Sequence, residues 1–221
     1  MRATDVGLLA RWSRVAVIGV TTVLMLPACG EGDSRSSSHS PTMVMHVDRE
    51  LYSEIAKLRA DSDVVVLVAV GDVVAREVDT GGNPLVFDED TGLPNGNPLA
   101  FHGVEALEML AGELLPSEFA VATFDAEMVT LDSETDWLES GQTAILFLRR
   151  EDRESAPGIT AVSEHFSLVG GPQGILEVEG DVVRPRVATL DRLDEDEVLT
   201  VDDAGAPSVA LSRLRTWFRG E

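Results

Sequence analysis

Apolar positions along the chain fall into runs whose spacing names the elements. Residues 64–70 are all apolar and mostly β-branched, the pattern of a strand covered on both faces. Gly71 interrupts the run and residues 73–78 carry it onward; a glycine inside a long strand marks a bulge or a sharp coil. Upstream, Leu51, Ile55 and Leu58 recur at helical spacing and predict an amphipathic helix over 48–60, with Asp48 as its cap. Leu107, Leu110 and Leu114 share one side at the same period, so 103–115 reads as a short helix stopped by Pro116. From 119 to 129 the even positions Ala120, Ala122, Phe124, Ala126 and Met128 are apolar, while Thr123, Asp125 and Glu127 face away, as in a half-buried strand. Residues 143–148 are apolar on both faces and end at Arg149 and Arg150.

The remaining pattern is shorter. Residues 163–169 predict a strand leading into a tight turn at 170–174, and Gly180-Asp181 between two apolar runs signals a two-residue hairpin. Residues 191–206 are acidic and loop-like. Pro207 opens a C-terminal helix with Leu211, Leu214 and Phe218 in register. The fold class is therefore mainly β with flanking helices (α+β), with Phe124 and Phe147 inside the sheet.

The first 46 residues follow a different logic. Arg2, Arg11 and Arg14 precede a short apolar stretch over 15–26, the layout of a secretory signal and too short to span a bilayer, which needs ~20 residues. Leu26-Pro27-Ala28-Cys29 resembles the lipobox of bacterial lipoproteins. That resemblance implies cleavage after Ala28, a diacylglycerol on the Cys29 sulfur and an extracytoplasmic, membrane-anchored product; two or more acyl chains make a stable anchor. Cys29 is the single cysteine of the chain, so no intramolecular disulfide can form and packing alone must hold the domain. Residues 31–42 combine glycine, a serine cluster and proline without apolar periodicity, the composition of a flexible tether. The organisation is a signal over 1–28, a tether over 29–46 and one domain over 47–221.

Charge narrows the partners. The 221-residue chain carries a formal −22. Its first 28 residues hold three arginines against Asp5, so the part after residue 28 carries −24. Such a surface repels nucleic acid and anionic headgroups. Lys57 is the one lysine among seventeen basic residues, a bias that points to a GC-rich genome.

Chemistry is sparse. The chain contains no G-x-S-x-G elbow, phosphate-binding glycine loop, H-E-x-x-H or C-x-x-C. Residues 80–101 read as a long loop with an internal echo: 82–87, Gly-Asn-Pro-Leu-Val-Phe, return at 96–101 as Gly-Asn-Pro-Leu-Ala-Phe, each copy placing a turn ahead of a short apolar segment. Between them, Asp88-Glu89-Asp90-Thr91-Gly92 has the start of a calcium loop, but Gly92 stands at its third acidic position and Leu99 where the closing glutamate belongs; a solvated acidic loop fits better. His39 and His46 lie in or beside the tether, and His102 and His165 stand far apart, with nothing to mark any of them as ligands or bases. Trp137 and Trp217 read as core or rim packing.

Three stretches carry a second resemblance: 60–66, Gly141-Gln142 with the apolar run behind it, and Gly170-Gly171-Pro172-Gln173-Gly174 followed by the Gly180-Asp181 hairpin. Over roughly 48–185 they resemble uncharacterised actinobacterial secreted proteins whose domain is similar to the OB-like barrel of tissue-inhibitor and netrin-like modules. The resemblance implies a small OB-like β-barrel between an N-terminal and a C-terminal helix, and carries no activity, cofactor, metal or catalytic residue with it. The expected function is a lipid-anchored binding module of the cell envelope, tied to the membrane through Cys29 and addressing an envelope protein or a neutral or cationic ligand, not nucleic acid. An enzyme with an unrecognised carboxylate site and a passive accessory of an envelope complex are the alternatives.

Overall fold

A computed structural model of the protein describes residues 43–45, 51–131, 138–151, 157–162 and 164–220, all within the unit His39–Glu221. The signal, Ala28, Cys29 and most of the tether lie outside these residues, as do Asp48 and Trp137. In chain order the strands are β1 (Met43–Met45), β2 (Val64–Asp79), β3 (Asn97–Gly112), β4 (Glu118–Phe124), β5 (Val129–Leu131), β6 (Thr143–Glu151), β7 (His165–Leu168), β8 (Ile175–Glu179), β9 (Val182–Pro185), β10 (Thr200–Val201) and β11 (Pro207–Ala210). The helices are α1 (Ile55–Ala60) and α2 (Leu211–Arg219). The described residues are mainly β with two helices.

The predicted central strand is central. β2 pairs along one edge with β3 and along the other with β6, both antiparallel. β3 continues to β4, β4 pairs in parallel with β7, and β7 pairs with β6, so β2, β3, β4, β7 and β6 close into a ring. Closure needs stagger. Register passes from Val73 to His102, Val121, Phe166 and Arg150, whereas Leu148 on β6 already faces Val64 at the start of β2. One circuit thus consumes most of the length of β2, which is why both long strands run to sixteen residues. Gly71 does what its position in the run predicted: the ladder shifts between Val70 and Val73, and a Cβ on Gly71 would lie 2.7 Å from the carbonyl oxygen of Gly103. The two backbones cross too closely there for any side chain.

Val64, Val66, Val68, Val104, Val121, Leu146 and Phe166 fill the inside of the ring. A second apolar layer covers the outside of β2 and β6, where Val65, Leu67, Ile145 and Phe147 pack against Ile55 and Leu58 of α1 and Leu211, Leu214 and Phe218 of α2. Gln173, buried in the 3₁₀ turn Gly171–Gly174, closes this layer: its Nε2 donates to the Tyr52 carbonyl (2.8 Å) and its Oε1 accepts from the Tyr52 amide (3.1 Å). β8 and β9 form the predicted Gly180-Asp181 hairpin.

Four expectations change. Residues 97–112 are one strand, so the expected loop over 80–101 stops at Gly96 and the helix expected over 103–115 does not form. Their Glu, Ala, Leu and Met are good helix formers, but β2 requires a hydrogen-bonding partner along this edge, and pairing overrides propensity. Leu110 and Leu107 are the extra residues at two β3 bulges, between Val65/Val66 and Leu67/Val68 of the facing strand. Leu107 and Leu114 are exposed. The first helix begins at Ile55, because its leading amides are taken by the chain ahead of β10: Ile55 N–H donates to the Arg192 carbonyl and Ala56 N–H to that of Leu193, each at 2.9 Å. Leu51 is consequently exposed and Tyr52 buried. The strand of 119–129 ends at Phe124, and both its faces are covered. Pro207 opens β11, and the C-terminal helix starts at Leu211. Phe147 is fully buried as expected, whereas Phe124 is only half-buried.

Candidate functional site

Beyond Gly71 and Gly103 the long strands run on as an arm, residues 71–79 and 97–103, closed by the hairpin 80–96. Polar side chains concentrate there. On the face that continues the inside of the ring, Arg76 pairs with Ala100 and Ala100 with Thr123, while His102 pairs with Val121. The ring that is valine-lined further down therefore ends in His102, Thr123 and Asp125, each less than a tenth exposed. Asp125 organises this end. Its carboxylate accepts from Arg76 Nε (3.3 Å) and from the Glu127 amide (3.1 Å), its own amide donates to the Pro98 carbonyl (3.0 Å), and its carbonyl receives the amides of Met128 and Val129. Arg76 also reaches Glu127 at 2.7 Å. Sequence alternation pointed Asp125 at solvent. The turn after Phe124 brings it back over the end of the ring, where Arg76 compensates its buried charge.

His102 lacks such compensation, since its Nδ1 is buried without a hydrogen-bond partner. Burial and the neighbouring Arg76 guanidinium lower its pKa, against the pull of Asp125, so the imidazole is neutral at pH 7.

The other face of the arm is a small apolar layer. Phe101, Ala120 and Ala122 are covered by Ile159, with Val162 at the edge. Glu77 holds the covering segment 157–162 in place, accepting from Thr160 Oγ1 (2.6 Å), the Thr160 amide (2.8 Å) and the Ala161 amide (2.7 Å). Burial opposes ionisation of Glu77, but these three donors outweigh it and keep its pKa below the usual value. His165 sits edge-on to Phe101, with ring centroids 5.1 Å apart. Its Nδ1 is likewise buried without a partner. Burial lowers its pKa, while Glu151, Asp79 and Glu77 pull upward.

The structure thus brings both described histidines to the arm, yet on opposite faces of β3, so they do not form a pair. His102 would have been easier to find had 97–112 been read as a strand, because alternation from Val104 puts His102 on the inner face and Phe101 on the outer; His165 stands on β7, and nothing local marks it. Among the described residues no group of three or more His, Cys, Asp and Glu is placed to hold a metal ion. In the loop that begins like a calcium site, Asp88 Oδ1 accepts from the Thr91 amide and hydroxyl, both at 2.8 Å, and from the Asp90 amide at 3.1 Å, which lowers its pKa. That carboxylate closes a turn. At the start of β2, two shallow clefts of about 270 Å³ flank Asp63, whose carboxylate is engaged by the Arg150 amide at 2.9 Å.

The hairpin is cross-linked by hydrogen bonds and carries apolar side chains on one limb. Asn95 Nδ2 donates to the Pro84 carbonyl (3.1 Å), its Oδ1 accepts from the Val86 amide (3.0 Å), and its own amide donates back to the Val86 carbonyl (2.9 Å). Held this way, Leu85, Val86 and Phe87 are 51%, 57% and 54% exposed. Among the described residues no helix is long and apolar enough to cross a membrane. Compared with known proteins, the chain matches no family model, no curated protein and no solved structure.

Proposed function

We propose that this chain is a lipid-anchored cell-envelope protein whose domain is an OB-like barrel working as a binding module. Support for the barrel comes from strand order. Three successive antiparallel strands (β2, β3, β4) are followed by β6, which returns beside β2, and β7 fills the gap between β6 and β4. Five strands in this Greek-key ring match the OB class, which hosts ligands on its surface and loops. The anchor rests on Leu26 to Cys29 behind the Arg-flanked apolar stretch.

The observation that carries binding over catalysis is the hairpin whose consecutive residues Leu85, Val86 and Phe87 are each more than half exposed, since exposed apolar surface marks interaction sites. The charge of −24 disfavours nucleic acid, whose OB-type binding uses a positive groove and exposed aromatic platforms, and favours a protein or a neutral or cationic ligand. Membrane fractionation of wild type and Cys29→Ala is the test: wild type partitions into detergent as a processed lipoprotein, and the variant leaves the membrane or accumulates as precursor. A variant that remains processed and detergent-partitioned would rule out the anchor.

A further inference from the structure

We infer that the hairpin tip at Leu85, Val86 and Phe87 is the contact surface of this module, and that its partner is a protein presenting an apolar pocket rimmed by Lys and Arg. This inference rests on the binding-module reading and specifies it. Three observations converge. The first is contiguity: other exposed apolar side chains such as Leu51, Leu114 and Val198 stand apart along the sequence, whereas three consecutive ones crown the hairpin. Single exposed apolar residues are ordinary on a surface, whereas three at consecutive positions concentrate apolar area at one hairpin.

The second observation is order without burial. Asn95 makes three hydrogen bonds to this strand of the hairpin, Asp88 makes three around its turn, and Asp79 accepts the Gly81 amide at 2.8 Å. None of this covers Leu85, Val86 or Phe87, so the core gains nothing from it. Hydrogen bonds that fix the backbone of the tip do, however, reduce the conformational entropy lost on docking. The third is charge. Glu89 and Asp90 stand exposed beside the knob, on a domain that is strongly acidic throughout. An anionic membrane or a nucleic acid would be repelled, and a basic rim would be steered onto it.

The test places the photo-crosslinking residue benzoylphenylalanine at position 87 of the full chain, in native cell envelopes. Parallel chains carry it at Leu114 and Val198. The expected result is one discrete protein adduct from position 87, whose crosslinked peptide holds more Lys and Arg than Asp and Glu. Its yield should fall at least fivefold with Val86→Asp, and also with the pair Glu89→Lys and Asp90→Lys, while the melting temperature stays unchanged. An adduct only to lipid, only to a second copy of this chain or to an acidic peptide overturns the inference, as does a yield indifferent to charge reversal. Protein adducts at Leu114 or Val198 with none at 87 overturn it while leaving the binding-module reading intact; no adduct at any position removes both.

Discussion

Residues 82–87 and 96–101 share five of six residues and meet opposite fates. In the first copy Leu85, Val86 and Phe87 are all more than half exposed. In the second, Ala100 and Phe101 are 3% and 0% exposed. Local preference cannot separate them, because both begin with the same Gly-Asn-Pro and alternate the same way. Their edges differ. Among the described residues the first copy pairs with the Pro94–Asn95 side of its own hairpin. The second lies between two strands, with Ala100 facing Arg76 on β2 and Thr123 on β4, and is roofed by Ile159. A strand flanked on both edges brings neighbours for its side chains; a hairpin limb at the rim does not. Burial here belongs to the topology, and the exposed copy is free for another use.

The largest effect should therefore separate the two phenylalanines. Phe101→Ala empties a fully buried site and should cost about 3–5 kcal/mol, whereas Phe87→Ala should lie within about 0.5 kcal/mol of wild type, as exposed substitutions do. Urea midpoints of the two variants measure this directly. Similar losses would mean that the hairpin is packed against something in the folded protein and that the contrast is false.

A second pair uses the one position where the copies differ. Exchanging it should break the equivalence in one direction only. Ala100→Val adds two methyl groups at a position only 3% exposed, between Arg76 and Thr123, and should cost about 1–3 kcal/mol; Val86→Ala removes the same groups from solvent and should be close to neutral. Thermal melts of the two single variants decide it, and an Ala100→Val protein as stable as wild type would mean that burial alone does not make the second copy intolerant of added volume.

What could be read in advance follows the same division between local and long-range causes. The all-apolar run from Val64, the break at Gly71, the Gly180-Asp181 hairpin and the Leu211, Leu214, Phe218 stripe each depend on neighbours a few residues away, and each has its element in the structure. β3 did not show itself, because Glu105 to Ala111 prefer helix in isolation and become strand only through a pairing that starts more than thirty residues earlier on β2. The parallel β4–β7 pair that closes the ring joins segments some forty residues apart and leaves no local trace. The arm inherits that blindness. His102, Asp125 and Arg76 meet only once β2, β3 and β4 are in register, and His165 reaches Phe101 only after β7 has closed the ring. The apolar echo, by contrast, was visible as a repeat, although its two burials were not.

The smallest effect concerns the groups that surround the buried copy and are missing around the exposed one. His165 lies against Phe101, and His102 follows it in sequence. Burial lowers both imidazole pKa values below the usual 6.5. In the unfolded chain each His titrates near that value, so as pH falls through about 6.5 the unfolded state takes up protons that the native state refuses. Their contribution to stability is complete above pH 6.5 and shrinks as pH drops toward the native pKa values. Glu77, lowered by its Thr160 and Ala161 donors, loses its contribution only further down, as pH falls from about 4.5 through its depressed native value. Urea midpoints should accordingly decline between pH 7.5 and 5.5, and His165→Leu should flatten part of that decline whatever its effect at pH 7.5. Hydrogen exchange should show the amides of Thr160 and Ala161, which donate to Glu77, keeping their protection over that interval and losing it only below about pH 4.5, as Glu77 takes up its proton. A midpoint that rises as pH falls would mean that Glu151, Asp79 and Glu77 outweigh burial at His165, and that the layer over Phe101 is held by charge and not by exclusion of water.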